Sequence, residues 1–186
     1  MIVIVSGLPR SGTSLMMHML EAGGLPLLTD QQRPADADNP NGYWEYTPVQ
    51  RLHEDNAWMA QAEGKALKVI SALLQYLPPQ HLYKILSMQR PMSEVLASQA
   101  VMLTRRGEPR GQVDDQALGT IFTQHLEHTT RWLAAQPHMT VLPVAYHAVL
   151  AEPLATATQV VAFLGLPLAV AAMARTVDPR LYRQRI

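Results

Sequence analysis

Met1-Ile2-Val3-Ile4-Val5-Ser6-Gly7-Leu8-Pro9-Arg10-Ser11-Gly12-Thr13-Ser14-Leu15-Met16-Met17-His18-Met19-Leu20 opens the chain, and the reading of this stretch decides the fold. Ile2, Val3, Ile4 and Val5 form an unbroken β-branched run, the pattern of a strand buried on both faces in a parallel sheet. From Leu15 the apolar residues fall at Leu15, Met16, Met19 and Leu20, which is helical spacing. Between strand and helix lie residues 6 to 14, where Gly7 and Gly12 let the backbone turn sharply and approach a ligand. The helix then aims its free N–H groups and the positive end of its dipole at the turn, and an anion is stabilised there.

The interval from Gly7 to Gly12 is that of the phosphate loop G-x-x-x-x-G-K-[ST], but Thr13 stands at the lysine position and the cation comes earlier, as Arg10. A loop gripping the β/γ-phosphates of a nucleoside triphosphate wants that lysine. Leu8-Pro9-Arg10-Ser11-Gly12-Thr13-Ser14 instead resembles the 5′-phosphosulfate loop of sulfotransferases that use 3′-phosphoadenosine 5′-phosphosulfate (PAPS). Its arginine form is that of tyrosylprotein and many bacterial members. The resemblance implies PAPS as co-substrate, with Pro9, Arg10, Ser11, Gly12, Thr13 and Ser14 forming its 5′ cradle.

A second stretch, Met88-Gln89-Arg90-Pro91-Met92-Ser93-Glu94-Val95-Leu96-Ala97-Ser98, leaves a predicted strand and enters a predicted helix. It is similar to the family's 3′-phosphate motif: the eight-residue interval from Arg90 to Ser98 is kept, and the usual acidic residue between Arg and Pro is missing. A guanidinium meets a phosphate bidentately. The resemblance therefore implies that Arg90 and Ser98 hold the 3′-phosphate that distinguishes PAPS from ATP. Many sulfotransferases also close over this phosphate with a basic C-terminal segment. Arg180 and Arg183, with Arg185 beyond them, are the candidates for that role.

Composition bounds the class. At 186 residues one domain, spanning 1–186, is the natural expectation, and 48% apolar residues supply a core. Fifteen basic and fifteen acidic residues cancel, which disfavours a general nucleic-acid binder. The absence of cysteine excludes disulfides and thiol chemistry. No apolar run reaches about 18 residues and no charged leader precedes the first strand, so a soluble cytoplasmic protein without a membrane or nucleic-acid partner is expected.

Periodicity predicts further strands over 66–71, 82–88 and 139–146, the last demoted to an edge by Pro143. Helices are predicted from 48 to about 63 and over 72–77, 92–106, 114–135, 153–164 and 167–176, with a long polar loop over 25–47 and a basic link over 105–111. The alternation implies a three-layer α/β/α fold, P-loop NTPase-like, with a parallel sheet of about four or five strands. Ligands bind such sheets at the carboxyl ends of the strands, which puts residues 6 to 14, Ser71, Gln89 and Arg90 on one rim.

Sulfuryl transfer needs in-line positioning and charge stabilisation, a task for Arg10. The acceptor, a hydroxyl or amine of a small molecule or peptide, must lose a proton. Glu45 is the first candidate base. It ends Asn39-Pro40-Asn41-Gly42-Tyr43-Trp44-Glu45, where two aromatics beside a carboxylate are unusual for a connecting loop. The segment resembles that of bacterial members, and the tyrosylprotein branch uses a glutamate. His53 is second, since the animal cytosolic enzymes use histidine. Lys68 stands near the rim, where it can contact the sulfuryl group or the acceptor. Trp44, Trp58 and Trp132 are candidates to stack on adenine. His125 and His128 share a helical face without an evident third ligand, so no metal site is expected. Two other functions stay open: a P-loop nucleotide kinase, and a module that binds PAPS or another nucleotide without turnover.

Overall fold

A computed structural model describes residues 1–30, 32–36, 39–107 and 114–182. Four strands, β1 (Ile2–Ser6), β2 (Ala66–Lys68), β3 (Tyr83–Gln89) and β4 (Met139–Ala145), form one parallel sheet in the order β2-β1-β3-β4. The register sets Ile4 beside Leu67 and Ile85, and Ser6 beside Ser87.

All of β1 is buried, as a β-branched run between two layers requires. Its side chains alternate. Val3 and Val5 join a core with Met16, Met17, Met19 and Leu20 of α1 (Thr13–Ala22) and with buried residues of α5 (Pro153–Leu164) and α6 (Val170–Arg175). Ile2 and Ile4 face a second core containing Met59, Leu74 and Leu133, the last from α3 (Asp115–Ala134). The sheet is thus covered on both faces, the three-layer arrangement that the alternation implied. Burying each large apolar side chain contributes roughly 1.5–3 kcal/mol, so β1 and α1 form the centre around which the rest is placed.

The remaining helices are α2 (Met92–Arg106) and α4 (Tyr146–Ala151). Asp114 caps α3, its side chain accepting from the Ala117 N–H at 2.7 Å. Strand β4 is the edge, with Pro143 paired only to Ser87 of β3. The opposite margin, β2, is short, and residues 26–28 lie along it: Leu27 bridges Ala66, the Ala66 N–H reaches the Pro26 carbonyl and the Leu28 N–H reaches the Ala66 carbonyl.

Three expectations are corrected. The helix from 48 to about 63 is two 3₁₀ turns, Thr47–Arg51 and Ala57–Ala62. Asp55 explains the interruption, because its carboxylate accepts the Ala57 N–H at 2.9 Å and offers the backbone a turn instead of a helix. The segment 72–77 is also 3₁₀, over Ser71–Tyr76. Helix α4 follows β4 directly, where only a strand end was read. Among the described residues, no helix is long and apolar enough to cross a membrane.

Candidate active site

The turn between β1 and α1 is held in a conformation that its sequence dictates. Gly7 has φ 154°, Arg10 φ 71° and Gly12 φ 102°. A Cβ on Gly7 would lie 2.4 Å from Ser11 Oγ, and one on Gly12 would lie 2.5 Å from a Tyr146 ring carbon. Only glycine fits at either place. Arg10 is not glycine, so its left-handed backbone stores strain of about 1–3 kcal/mol, a cost that concentrates at ligand sites. No side chain caps α1, so the first-turn N–H groups stay available at the rim.

Pro9, Arg10, Gly12, Thr13 and Ser14 line a cleft of about 360 Å³ at the carboxyl ends of the strands. Ser11 does not. Its side chain is turned under the loop, its residue is 2% exposed, and its Oγ has no hydrogen-bond partner. The reversal at Arg10 sends one side chain outward and the next inward.

Arg90 and Ser98, from the corner between β3 and α2, line the same cleft. The two corners touch: Arg10 Nε donates to Ser98 Oγ at 2.9 Å, and Arg90 Nη1 donates to the Arg10 carbonyl at 3.0 Å. Arg90 lies 4.6 Å from the centre of the Tyr146 ring and 5.5 Å from that of Tyr182. Its Nε donates to Glu94 Oε2 at 2.8 Å. Burial opposes ionisation of Glu94, but hydrogen bonds from Tyr182 and Arg90, with the charges of Arg90 and His147, outweigh it and hold the carboxyl below its ordinary pKa.

The end of β2 and the 25–47 loop supply the third side. Lys68 Nζ meets Glu45 Oε1 at 3.2 Å and Ser14 Oγ at 3.4 Å, and also donates to the Tyr43 carbonyl. Desolvation lowers the Lys68 pKa; Glu45 opposes that shift and Arg33 adds to it. Arg33 Nη1 lies 3.2 Å from Glu45 Oε1, and its guanidinium carbon sits 3.3 Å from the centre of the Tyr43 ring. Asn39 Nδ2 donates to Ser14 Oγ at 2.8 Å, pinning the loop to the start of α1. Trp44 stacks on His18 with centroids 5.1 Å apart, and both line the cleft; Trp58 and Trp132 do not.

Two candidates lie elsewhere. His53, with its side chain 46% exposed, sits beside Tyr76 and Glu54 outside the cleft. Arg180, 89% exposed, does not line the cleft; Asp178, which does, accepts from its backbone N–H at 3.0 Å and its Nε at 2.9 Å. Arg183 and Arg185, like residues 108–113 of the basic link, fall outside the described residues. His125 Nε2 is 2.9 Å from Ser71 Oγ. Among the described residues, no group of three or more His, Cys, Asp or Glu is placed to hold a metal.

Sequence reasoning missed Arg33, Glu94, Tyr146 and Tyr182. Glu94 stands four residues after Arg90, a helical ion-pair spacing that could have found it. Tyr146 follows the last residue of β4, a rim position by the same rule that placed Arg90. Arg33 and Tyr182 leave no comparable signal.

A sulfotransferase domain model matches residues 2–182, and the chain belongs to that family of sulfuryl-transferring enzymes. Solved structures share the fold. The sulfotransferase domain of the curacin biosynthetic pathway superposes with a TM-score of 0.56 at 15% identity, covering 95% of this chain and 77% of that one. The sulfotransferase domain of the Synechococcus PCC 7002 olefin synthase gives 0.57 at 16%, with coverage of 95% and 77%. Retinol dehydratase, solved in complex with androsterone and the inactive cofactor PAP, gives 0.56 at 14%, covering 95% of this chain and 63% of that one. No curated protein matches the sequence.

Proposed function

We propose that this sulfotransferase takes the sulfuryl group from PAPS and passes it to a hydroxyl or amine of a small-molecule or peptide acceptor, within a single domain and without a dedicated metal. The observation that carries the reading is the joining of two cationic corners in one cleft, with Arg90 Nη1 donating to the Arg10 carbonyl at 3.0 Å. A ligand charged at both its 5′ and 3′ ends fits that pairing. The strained Arg10, the two glycines without room for a side chain and the uncapped start of α1 suit the 5′-phosphosulfate. Arg90 and Ser98 suit the 3′-phosphate.

In this reading Arg10 and the first-turn N–H groups stabilise the charge that builds on the leaving 5′-phosphate. Glu45 takes the acceptor proton. Lys68 and Arg33 orient its carboxylate, and a lone pair on Oε2 stays available for that proton. A cytoplasmic, bacterial-type setting belongs to the same reading and rests on the likeness of the loop to bacterial members. A kinase is disfavoured by Thr13, which stands where a triphosphate loop needs lysine.

Thermal-shift measurements with PAPS, adenosine 3′,5′-bisphosphate and ATP test the donor. Stabilisation by the first two and not by ATP is expected, and preference for ATP overturns the reading. A labelled-sulfate acceptor screen then tests turnover. Glu45→Gln should lower turnover by about 10²–10⁴-fold with little change in bisphosphate affinity. Unchanged turnover assigns the proton to another group, and bisphosphate binding with no turnover on any acceptor favours the non-catalytic module.

A further inference from the structure

Among the described residues of the C-terminal segment, Asp178 and Leu181 line the cleft and Tyr182 reaches Arg90 and Glu94, while Arg180 is exposed and paired to Asp178. Tyr182 OH donates to Glu94 Oε1 at 2.6 Å and lies 3.0 Å from His147 Nε2. His147 Nε2 in turn lies 2.8 Å from Glu94 Oε1. The other carboxylate oxygen, Oε2, accepts from Arg90 Nε. One carboxylate on α2 therefore gathers the tail, the first turn of α4 and the arginine of the β3 corner.

The Arg90 and Glu94 side chains are only 7% and 4% exposed, so the pair is enclosed and its geometry is fixed. Glu94 holds Nε and the Arg10 carbonyl holds Nη1, while the Tyr146 and Tyr182 rings flank the guanidinium. Nη2 has no partner among the described residues. A guanidinium fixed on its other edges presents that nitrogen in one orientation, so less freedom is lost when an anion binds.

We infer that Glu94, held by Tyr182 of the C-terminal segment, is a positioning residue that aims Arg90 at the 3′-phosphate and so sets the preference for 3′-phosphorylated nucleotides. This rests on the donor reading above and names residues which that reading does not need. The alternative role, neutralising Arg90, makes the opposite prediction, because removal of the carboxylate would then strengthen phosphate binding.

The test is calorimetry on the full chain with adenosine 3′,5′-bisphosphate and adenosine 5′-monophosphate, read as the ratio of the two affinities. Glu94→Gln should cut that ratio about tenfold and Tyr182→Phe about threefold, each leaving 5′-monophosphate affinity within about twofold. Glu94→Asp should recover part of the ratio. Simple destabilisation would weaken both nucleotides alike and leave the ratio unmoved, which overturns the inference. A ratio that rises in Glu94→Gln overturns it too, in favour of neutralisation. If Glu94→Gln fails to fold, Tyr182→Phe, at the less buried end of the chain, decides alone. Wild-type protein that prefers the bisphosphate while both variants retain the preference sinks this inference and spares the donor reading. Wild-type protein without any preference sinks both.

Discussion

The two corners that meet in the cleft are built from opposite materials. The β1–α1 corner is made of backbone: glycines at φ 154° and 102°, a strained Arg10 and the open end of a helix. The β3–α2 corner is made of side chains: Arg90, Ser98, Glu94 and two flanking tyrosines. A backbone site is fixed by conformation, and its tolerance of substitution is set by space. A side-chain site is fixed by partners, and it can be tuned one hydrogen bond at a time. The first suits the reacting end of a donor, where misplacement costs rate, and the second suits the end that is recognised and released.

Arg10→Ala should break the contrast most visibly, lowering turnover by about 10²–10³-fold, the loss typical of removing one donor from a charge-stabilising site. Steady-state kinetics with PAPS check it, and a loss confined to KM would remove Arg10 from the reacting end. Arg90→Ala should act on recognition. Bisphosphate affinity should fall roughly ten- to hundredfold, the value of one charge-assisted hydrogen bond or slightly more, while adenosine 5′-phosphosulfate loses far less. Equal losses for the two nucleotides by calorimetry would erase the division of labour.

Lys68 sharpens the comparison from the third side. Its pKa is lowered from 10.5, so between the lowered value and 10.5 the unfolded chain binds more protons than the folded one. Stability should therefore rise with pH through that window, and Lys68→Met should lack the rise. Urea midpoints of the two proteins at several alkaline pH values measure it, and parallel pH profiles for the two would count against it. Arg180→Ala should do least, changing bisphosphate affinity by less than about twofold, because Arg180 is exposed and satisfied by Asp178. A larger effect would return the basic tail to the role that its sequence suggests.

The backbone corner was legible because its determinants are local. A β-branched run, glycines at a fixed interval and helical spacing after them are enough to place Arg10 and the rim. Arg90 and Glu45 were legible for the same reason, each inside a short stretch of unusual composition. That the Ser11 side chain lies beneath the loop was not legible, because the space around Gly7 and Gly12 is bounded by Met88 of β3 and Tyr146 of α4, both distant in sequence. His53 drew attention by residue type alone and sits in the turn between two 3₁₀ segments, outside the cleft. Tyr182 meets a partner 88 residues earlier, and no pattern in the intervening chain marks that meeting. Arginine count was the stronger signal in the tail, and Asp178, beside it in sequence, had already claimed Arg180.

The margins of the sheet carry a last consequence. On one side Pro143 offers no amide hydrogen, and on the other a three-residue strand is partly sheathed by residues 26–28. A neighbouring polypeptide looking for a ladder to extend would find it interrupted at Pro143 on one border and partly covered on the other. Crowded together, copies of this enzyme should resist zipping into fibrous aggregates, and the apolar wealth of β1 stays locked in the interior.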